Sequence, residues 1–124
     1  MPESIRLLAL DLDGTALNDA KHLTPATRQA ILDAIAAGVT VVPASGRPYF
    51  GLAREVLEVP GIQYAISSNG ASITRVSDGV RIYADDLDDA LALELMTAFL
   101  PLDICASFFR KDRAFLPATQ APLP

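Results

Sequence analysis

The chain has 124 residues, enough for one domain or a domain with part of another, and 51% of them are apolar, enough for a packed core. Its formal charge of −5, with no basic run or basic-aromatic stripe, excludes nucleic acid as the main partner. The single cysteine, Cys105, excludes an internal disulfide and suits a reducing cytoplasm, and no apolar run is long enough to cross a bilayer or serve as a secretory signal.

Leu7-Leu8-Ala9-Leu10 has the pattern of a strand buried on both faces of a parallel sheet. It runs into Asp11-Leu12-Asp13-Gly14-Thr15. Side chains two apart in an extended chain share a side, so the Asp11 and Asp13 carboxylates are expected to converge at the strand's carboxyl end, where α/β sheets bind ligands. Gly14 allows the turn that follows. The plainer role for such acids is turn formation and helix capping. The polar connection Ala16–Leu23 holds Lys21 and the only histidine, His22, which reads as solvated.

Thr24-Pro25 predicts a helix start, with Thr24 as N-cap, and Gly38 a left-handed stop after Ala37. A second strand, Val39–Val42, ends at Pro43-Ala44-Ser45-Gly46-Arg47-Pro48. A second helix is predicted over about Tyr49 to Leu57. The third strand, Tyr64–Ser67, ends at Ser68-Asn69-Gly70-Ala71. Helix-length connections make these three strands parallel, with right-handed crossovers. Three small polar strand ends on one sheet edge make a candidate site.

Ser72–Val76 and Val80–Tyr83 then flank Ser77-Asp78-Gly79 as a hairpin. Asp85-Asp86-Leu87-Asp88-Asp89 opens a helix, its acids favoured by the helix dipole. The body, Ala90–Leu100, carries the apolar stripe Leu91, Leu95, Met96 and Phe99, and Pro101 ends it. Ile104–Phe109 and Ala114–Leu116 read as strands around the turn Arg110–Arg113, and Pro117–Pro124 as a disordered or extended tail.

A carboxylate can attack phosphorus and carry the phosphoryl group, dividing hydrolysis into two easier steps. Asp11 is the candidate nucleophile and Asp13 the candidate acid/base. Two anions facing a phosphate call for a divalent cation, and Mg²⁺ suits few carboxylates with several waters. Ser45 and the backbone around Gly46 are candidates for phosphate oxygens, and Asn69 for phosphate or substrate. Arg47 reads equally as a substrate ligand or as a surface residue paired with an acid. The chain lacks the glycine-rich turn of a dinucleotide site and the Gly-Lys-Ser/Thr of a P-loop. Its paired acids also differ from response-regulator receivers, whose acids lie on separate strand ends.

Asp11-Leu12-Asp13-Gly14-Thr15 resembles the first motif of the haloacid dehalogenase (HAD) superfamily. Ala44-Ser45-Gly46-Arg47-Pro48 and Ser68-Asn69-Gly70-Ala71, at these separations, resemble the Cof-type (subclass IIB) phosphatases within it. The resemblance implies an α/β fold: a Rossmann-like parallel core, here its first three β-α units, followed by a hairpin and the beginning of an α/β cap. Residues 1–84 then belong to the core, and residues 85–124 to a partial cap and tail. It implies a Mg²⁺-dependent phosphatase acting through an aspartyl phosphate on a small phosphorylated metabolite such as a sugar phosphate. In that pattern Asp11 is nucleophile and metal ligand, Asp13 is acid/base and metal ligand through its main-chain oxygen, and Ser45 is a phosphate ligand. Gly14, Thr15, Gly46, Arg47 and Asn69 complete the candidate phosphate and substrate contacts.

The family's later lysine and Gly-Asp-Gly-x-Asn-Asp motifs are absent from this chain. The expectation is therefore a fragment of a longer protein, or a truncated product that is weak or inactive. The alternative is a non-catalytic paralogue that binds phosphorylated ligands or self-associates through the bare hydrophobic edge of the first strand. A phosphomutase is a third reading of the same motifs.

Overall fold

Parallel pairing of the first three strands sets the architecture. In the computed structural model, which describes residues 4–111 and 113–118, strand β1 (Leu7–Asp11) pairs with β2 (Thr40–Ala44), and β2 with β3 (Tyr64–Ser67), all parallel. β4 (Ser72–Arg75) and β5 (Val80–Ala84) continue the sheet antiparallel, giving the order β1-β2-β3-β4-β5. The chain divides into two compact units, Met1–Ala84 and Asp85–Pro124.

Helix α1 (Pro25–Ala36) forms where its caps place it. The Thr24 hydroxyl accepts from the Thr27 N–H at 3.2 Å, and Gly38 takes the left-handed conformation past the end (φ +88°). Its Ile31 is buried with Val41, Val59 and Ile62. A second cluster gathers Leu12, Ala16, Leu17, Leu52, Val56 and Ala65.

The predicted second helix is broken. Tyr49–Gly51 forms one tight turn, Leu52 and Ala53 are extended (ψ 146° and 116°), and α2 is the single turn Arg54–Leu57. Leu52 is 6% exposed within the second cluster. Burying a leucine is worth about 1.5–3 kcal/mol, whereas helix propensity is worth a few tenths per residue, about 0–0.7 kcal/mol, so packing overrides the local pattern.

β1 departs from its predicted burial: Leu7 is 58% and Leu8 40% exposed. Among the described residues β1 pairs with β2 alone, so it lies at the sheet edge with part of its surface uncovered. The β4–β5 turn matches its sequence, with Gly79 at φ +70° and Arg75 gripping Asp78 at 2.8 Å.

In the second unit, Asp88 caps α3 (Asp89–Phe99), accepting from the Leu91 N–H at 2.9 Å. Leu95, Met96 and Phe99 are half-buried, and Leu91 is exposed. β6 (Phe108–Arg110) and β7 (Arg113–Phe115) pair antiparallel, shorter than predicted because residues 104–107 leave the ladder. Asp112 of the predicted turn and residues 119–124 of the predicted tail lie outside the described residues. No helix among the described residues is long and apolar enough to cross a membrane.

Two glycines separate backbone strain from crowding. Gly61 (φ +94°) has Ile35 Cγ2 2.7 Å from where a Cβ would stand, whereas Gly38 faces open space. Gly61→Ala is expected to cost about 2–4 kcal/mol and Gly38→Ala about 1–2, read from urea midpoints. Equal losses would remove Ile35 as the cause.

Candidate active site

The register between β1 and β2 stands Asp11 opposite Ala44, so Asp11 and Ser45 leave neighbouring strands at one level. β3 joins them through the Ser45 N–H, which donates to the Ile66 carbonyl at 3.1 Å. Past Asp11 the chain makes a tight turn, with Asp13 at φ −67°, ψ 121° and Gly14 at φ +73°, ψ 6°. These are the angles of a type II turn, whose third position favours glycine. The Leu17 N–H closes a wider loop onto the Leu12 carbonyl at 2.9 Å, and buried Leu12 and Ala16 anchor it.

The two carboxylates have different company. Asp11 is exposed and accepts one hydrogen bond, from the Thr15 hydroxyl at 2.6 Å. Asp13 is held by both arms of Arg47, Nε at 2.7 Å and Nη2 at 2.9 Å, and Lys21 Nζ lies 3.2 Å from its Oδ1. The Arg47 guanidinium, hydrogen-bonded to both oxygens, is the main cause that draws the Asp13 pKa below its ordinary value; partial desolvation opposes it and Lys21 assists. The carboxylates thus share no partner among the described residues.

The ends of β2 and β3 are stitched together. The Asn69 N–H donates to the Ser45 carbonyl at 3.2 Å, and the Ser68 N–H to the Arg47 carbonyl at 2.8 Å. Ser45 Oγ accepts from the Arg47 N–H at 3.1 Å, leaving its own proton to donate. Gly46 permits this approach: a Cβ there would stand 2.8 Å from Asn69 Oδ1. Ser68, Asn69 and Gly70 all have positive φ (51°, 55° and 94°), a run of left-handed residues that only a constrained loop sustains. Just behind it, the Ser67 hydroxyl is buried without a partner among the described residues.

Arg47 therefore links Asp13 to the Ser45–Asn69 loops, while Asp11 and Thr15 stand beside them on the neighbouring strand end. Lys21 joins this group although no sequence motif marks it; its turn (φ +65°), closed by the Lys21 N–H on the Asn18 carbonyl, carries it there. His22 is exposed, with Nδ1 3.4 Å from Glu55. A cleft of about 150 Å³ is lined by Leu12, Asp13, Leu17, Lys21, Arg47, Gly51, Leu52 and Ala53.

A family model described as haloacid dehalogenase-like hydrolase matches residues 8–121. The Bacillus subtilis protein YxeH, whose phosphatase name is itself provisional, is 37% identical over 102 residues, 74% of this chain and 38% of that protein. A haloacid dehalogenase-like hydrolase structure from B. subtilis superposes with TM-score 0.76 at 26% identity, covering 91% of this chain and 39% of that one. A subclass IIB sugar phosphatase, BT4131, shares the fold with TM-score 0.73 at 21% identity, covering 90% and 43%. The chain spans about two fifths of the length of the curated relatives it matches.

The Arg47–Asp13 pairing gives a titration test. With Arg47→Gln, the Asp13 carboxyl should titrate closer to its ordinary value of 3.8, read by ¹³C NMR. The stability that the depressed pKa lends is present above 3.8 and lost as pH falls through the lower folded value, and the variant should lack it at neutral pH. An unmoved titration would remove Arg47 as the cause.

Proposed function

Because this chain belongs to the haloacid dehalogenase-like hydrolases, we propose that the whole protein is a Mg²⁺-dependent phosphate monoester hydrolase acting through an aspartyl phosphate. Residues 1–84 supply the N-terminal half of its core, and residues 85–124 the start of a cap. Its substrate is a small phosphorylated metabolite such as a sugar phosphate, and an exposed free thiol at Cys105 suits a reducing cytoplasm. The observation that carries the reading is the Asp11 carboxylate, without a cation among the described residues, standing at the end of β1 level with Ser45.

In the first step an Asp11 oxygen attacks phosphorus, the ester P–O bond breaks, and Asp13 gives a proton to the leaving oxygen, a role that requires the Arg47 contact, which lowers its pKa, to loosen in the substrate complex. In the second, water attacks the aspartyl phosphate, Asp13 takes its proton, and inorganic phosphate leaves with the Asp11 carboxylate restored. Thr15 holds Asp11 in place at 2.6 Å, and Gly14 makes the turn that follows Asp13. The Ser45 hydroxyl and the Gly46 N–H bind phosphoryl oxygens, and Arg47 and Asn69 contact phosphate or substrate.

The donor set fits a magnesium ion in part. The Asp11 carboxylate and the Asp13 main-chain oxygen would hold it, with water completing the shell, since no cluster of three His, Cys, Asp or Glu occurs among the described residues. When bound, the ion supplies positive charge that offsets repulsion between carboxylate and phosphate.

A second reading draws on the exposure of Leu7 and Leu8: a chain of this length without catalysis that binds phosphorylated ligands or self-associates through β1. Size-exclusion chromatography decides on the association, because a monomer across the concentration range would count against edge pairing.

For the catalytic reading, hydrolysis of p-nitrophenyl phosphate by the whole protein should require Mg²⁺. It should fall by more than about 10³-fold in Asp11→Asn, as for loss of a nucleophile, and by about 10²–10⁴-fold in Asp13→Asn. Turnover that survives Asp11→Asn would exclude this nucleophile. The 124-residue chain alone should bind phosphate with Mg²⁺ but turn over little.

A further inference from the structure

Lys21 is positioned with care for a residue that belongs to no motif. The Asn18 N–H and the Lys21 N–H close the turn on the His22 and Asn18 carbonyls at 2.9 Å each, and the Asn18 side chain accepts from the His22 N–H at 2.9 Å. Glu55 fixes the exit by accepting from the Leu23 N–H at 2.8 Å. Lys21 itself holds φ +65°, a conformation that persists in a lysine only where its surroundings impose it. Its Nζ and Arg47 Nη2 then meet on the same oxygen, Asp13 Oδ1, at 3.2 and 2.9 Å.

Stability is a poor reason for this arrangement. Exposed ion pairs contribute about 0–1 kcal/mol, and Arg47 already satisfies both Asp13 oxygens. Two cations on one carboxylate leave one positive charge in excess. Both line the cleft of about 150 Å³, whose other walls include Leu12, Leu17, Leu52 and Ala53. The space equals that of about five waters, room for a charged group on a short carbon stem.

We infer that Lys21 and Arg47 bind a second anionic group on the leaving part of the substrate. The site then takes phosphate monoesters whose alcohol also carries a carboxylate or a further phosphate. This rests on the reading of Asp13 as the residue that faces the leaving oxygen. The phosphoryl group belongs to Ser45 and Gly46, which leaves the cation pair for the remainder of the molecule.

Calorimetry on the 124-residue chain with Mg²⁺, at fixed ionic strength, tests it with three probes of similar size: ethyl phosphate, 2-phosphoglycolate and ethane-1,2-diol bisphosphate. The anion-bearing probes should bind about tenfold tighter than ethyl phosphate, the effect of one charge-assisted contact. Whichever of the two gains more identifies the second anion as carboxylate or phosphate. Lys21→Gln should bring both level with ethyl phosphate, and Lys21→Arg should keep the preference. Equal binding of all three probes by the unaltered chain would overturn this inference and leave the phosphatase reading standing. Equal weakening of all three by Lys21→Gln would overturn it too, by placing Lys21 on the phosphoryl group. Binding of none would overturn this inference, while the phosphatase reading is decided by the hydrolysis assay on the whole protein.

Discussion

The parallel register of β1 on β2 is the constraint on which the site depends. It sets Asp11 against Ala44, and with that one alignment the chain following each strand emerges at the same height. Side chains alternate with a period of two, so a slip of one residue would turn Asp11 to the other face and leave Ser45 beside an apolar position. The register is defended from both ends of the strands. Apolar Val41 and Val42 are buried within the sheet, and past its rim the Ser45 N–H reaches the Ile66 carbonyl. A helix-length crossover forces the parallel sense, and the caps of α1 fix that crossover's length.

With the strand ends aligned, local turns divide the labour between two acids of the same kind. Past the strand, Asp13 meets the loops of Arg47 and Lys21, while Asp11 stays on the strand hydrogen-bonded to the Thr15 hydroxyl. On the proposed reading this suits a nucleophile: a carboxylate paired with a guanidinium would have its charge already committed, whereas Asp11, held by Thr15, keeps an oxygen available. Asp13, in turn, gains position from its ion pairs more than it gives stability, since those pairs are exposed to solvent. Gly46 serves the same end by leaving room for the Asn69 side chain, whose Oδ1 lies 2.8 Å from where a Cβ would stand.

Local chemistry was legible in the sequence wherever a residue type has few alternatives. Thr24-Pro25 and Gly38 bound α1 as they should, Ser77-Asp78-Gly79 turns the hairpin, and Asp88 caps α3. The small polar strand ends were legible for the same reason, because Gly, which lacks a β-carbon, and Asn, whose short amide can bond locally, mark left-handed backbone that other side chains resist. Tertiary competition was not legible. The apolar spacing of residues 49–57 fits a helix, yet the burial of Leu52 is worth more than an unbroken turn. The cations on Asp13 were only half legible: Arg47 read equally as a substrate ligand or as the partner of an acid, and it is the structure that puts it on Asp13. Lys21 was missed because its position comes from a five-residue turn, and no spacing rule links residue 21 to residue 13.

The exposure of β1 and the sparse company of Asp11 are one fact seen twice. On the β2 side Asp11 meets Ala44 and the Ser45 loop, which present backbone and a hydroxyl but no further carboxylate. On the opposite side the edge of β1 is open, with Leu7 and Leu8 facing solvent. A hydrophobic strand of a parallel sheet is stable when both sides are covered, and a magnesium ion is bound well when more than one carboxylate reaches it. Any segment that pairs with β1 in parallel brings its own carboxyl end to the level of Asp11.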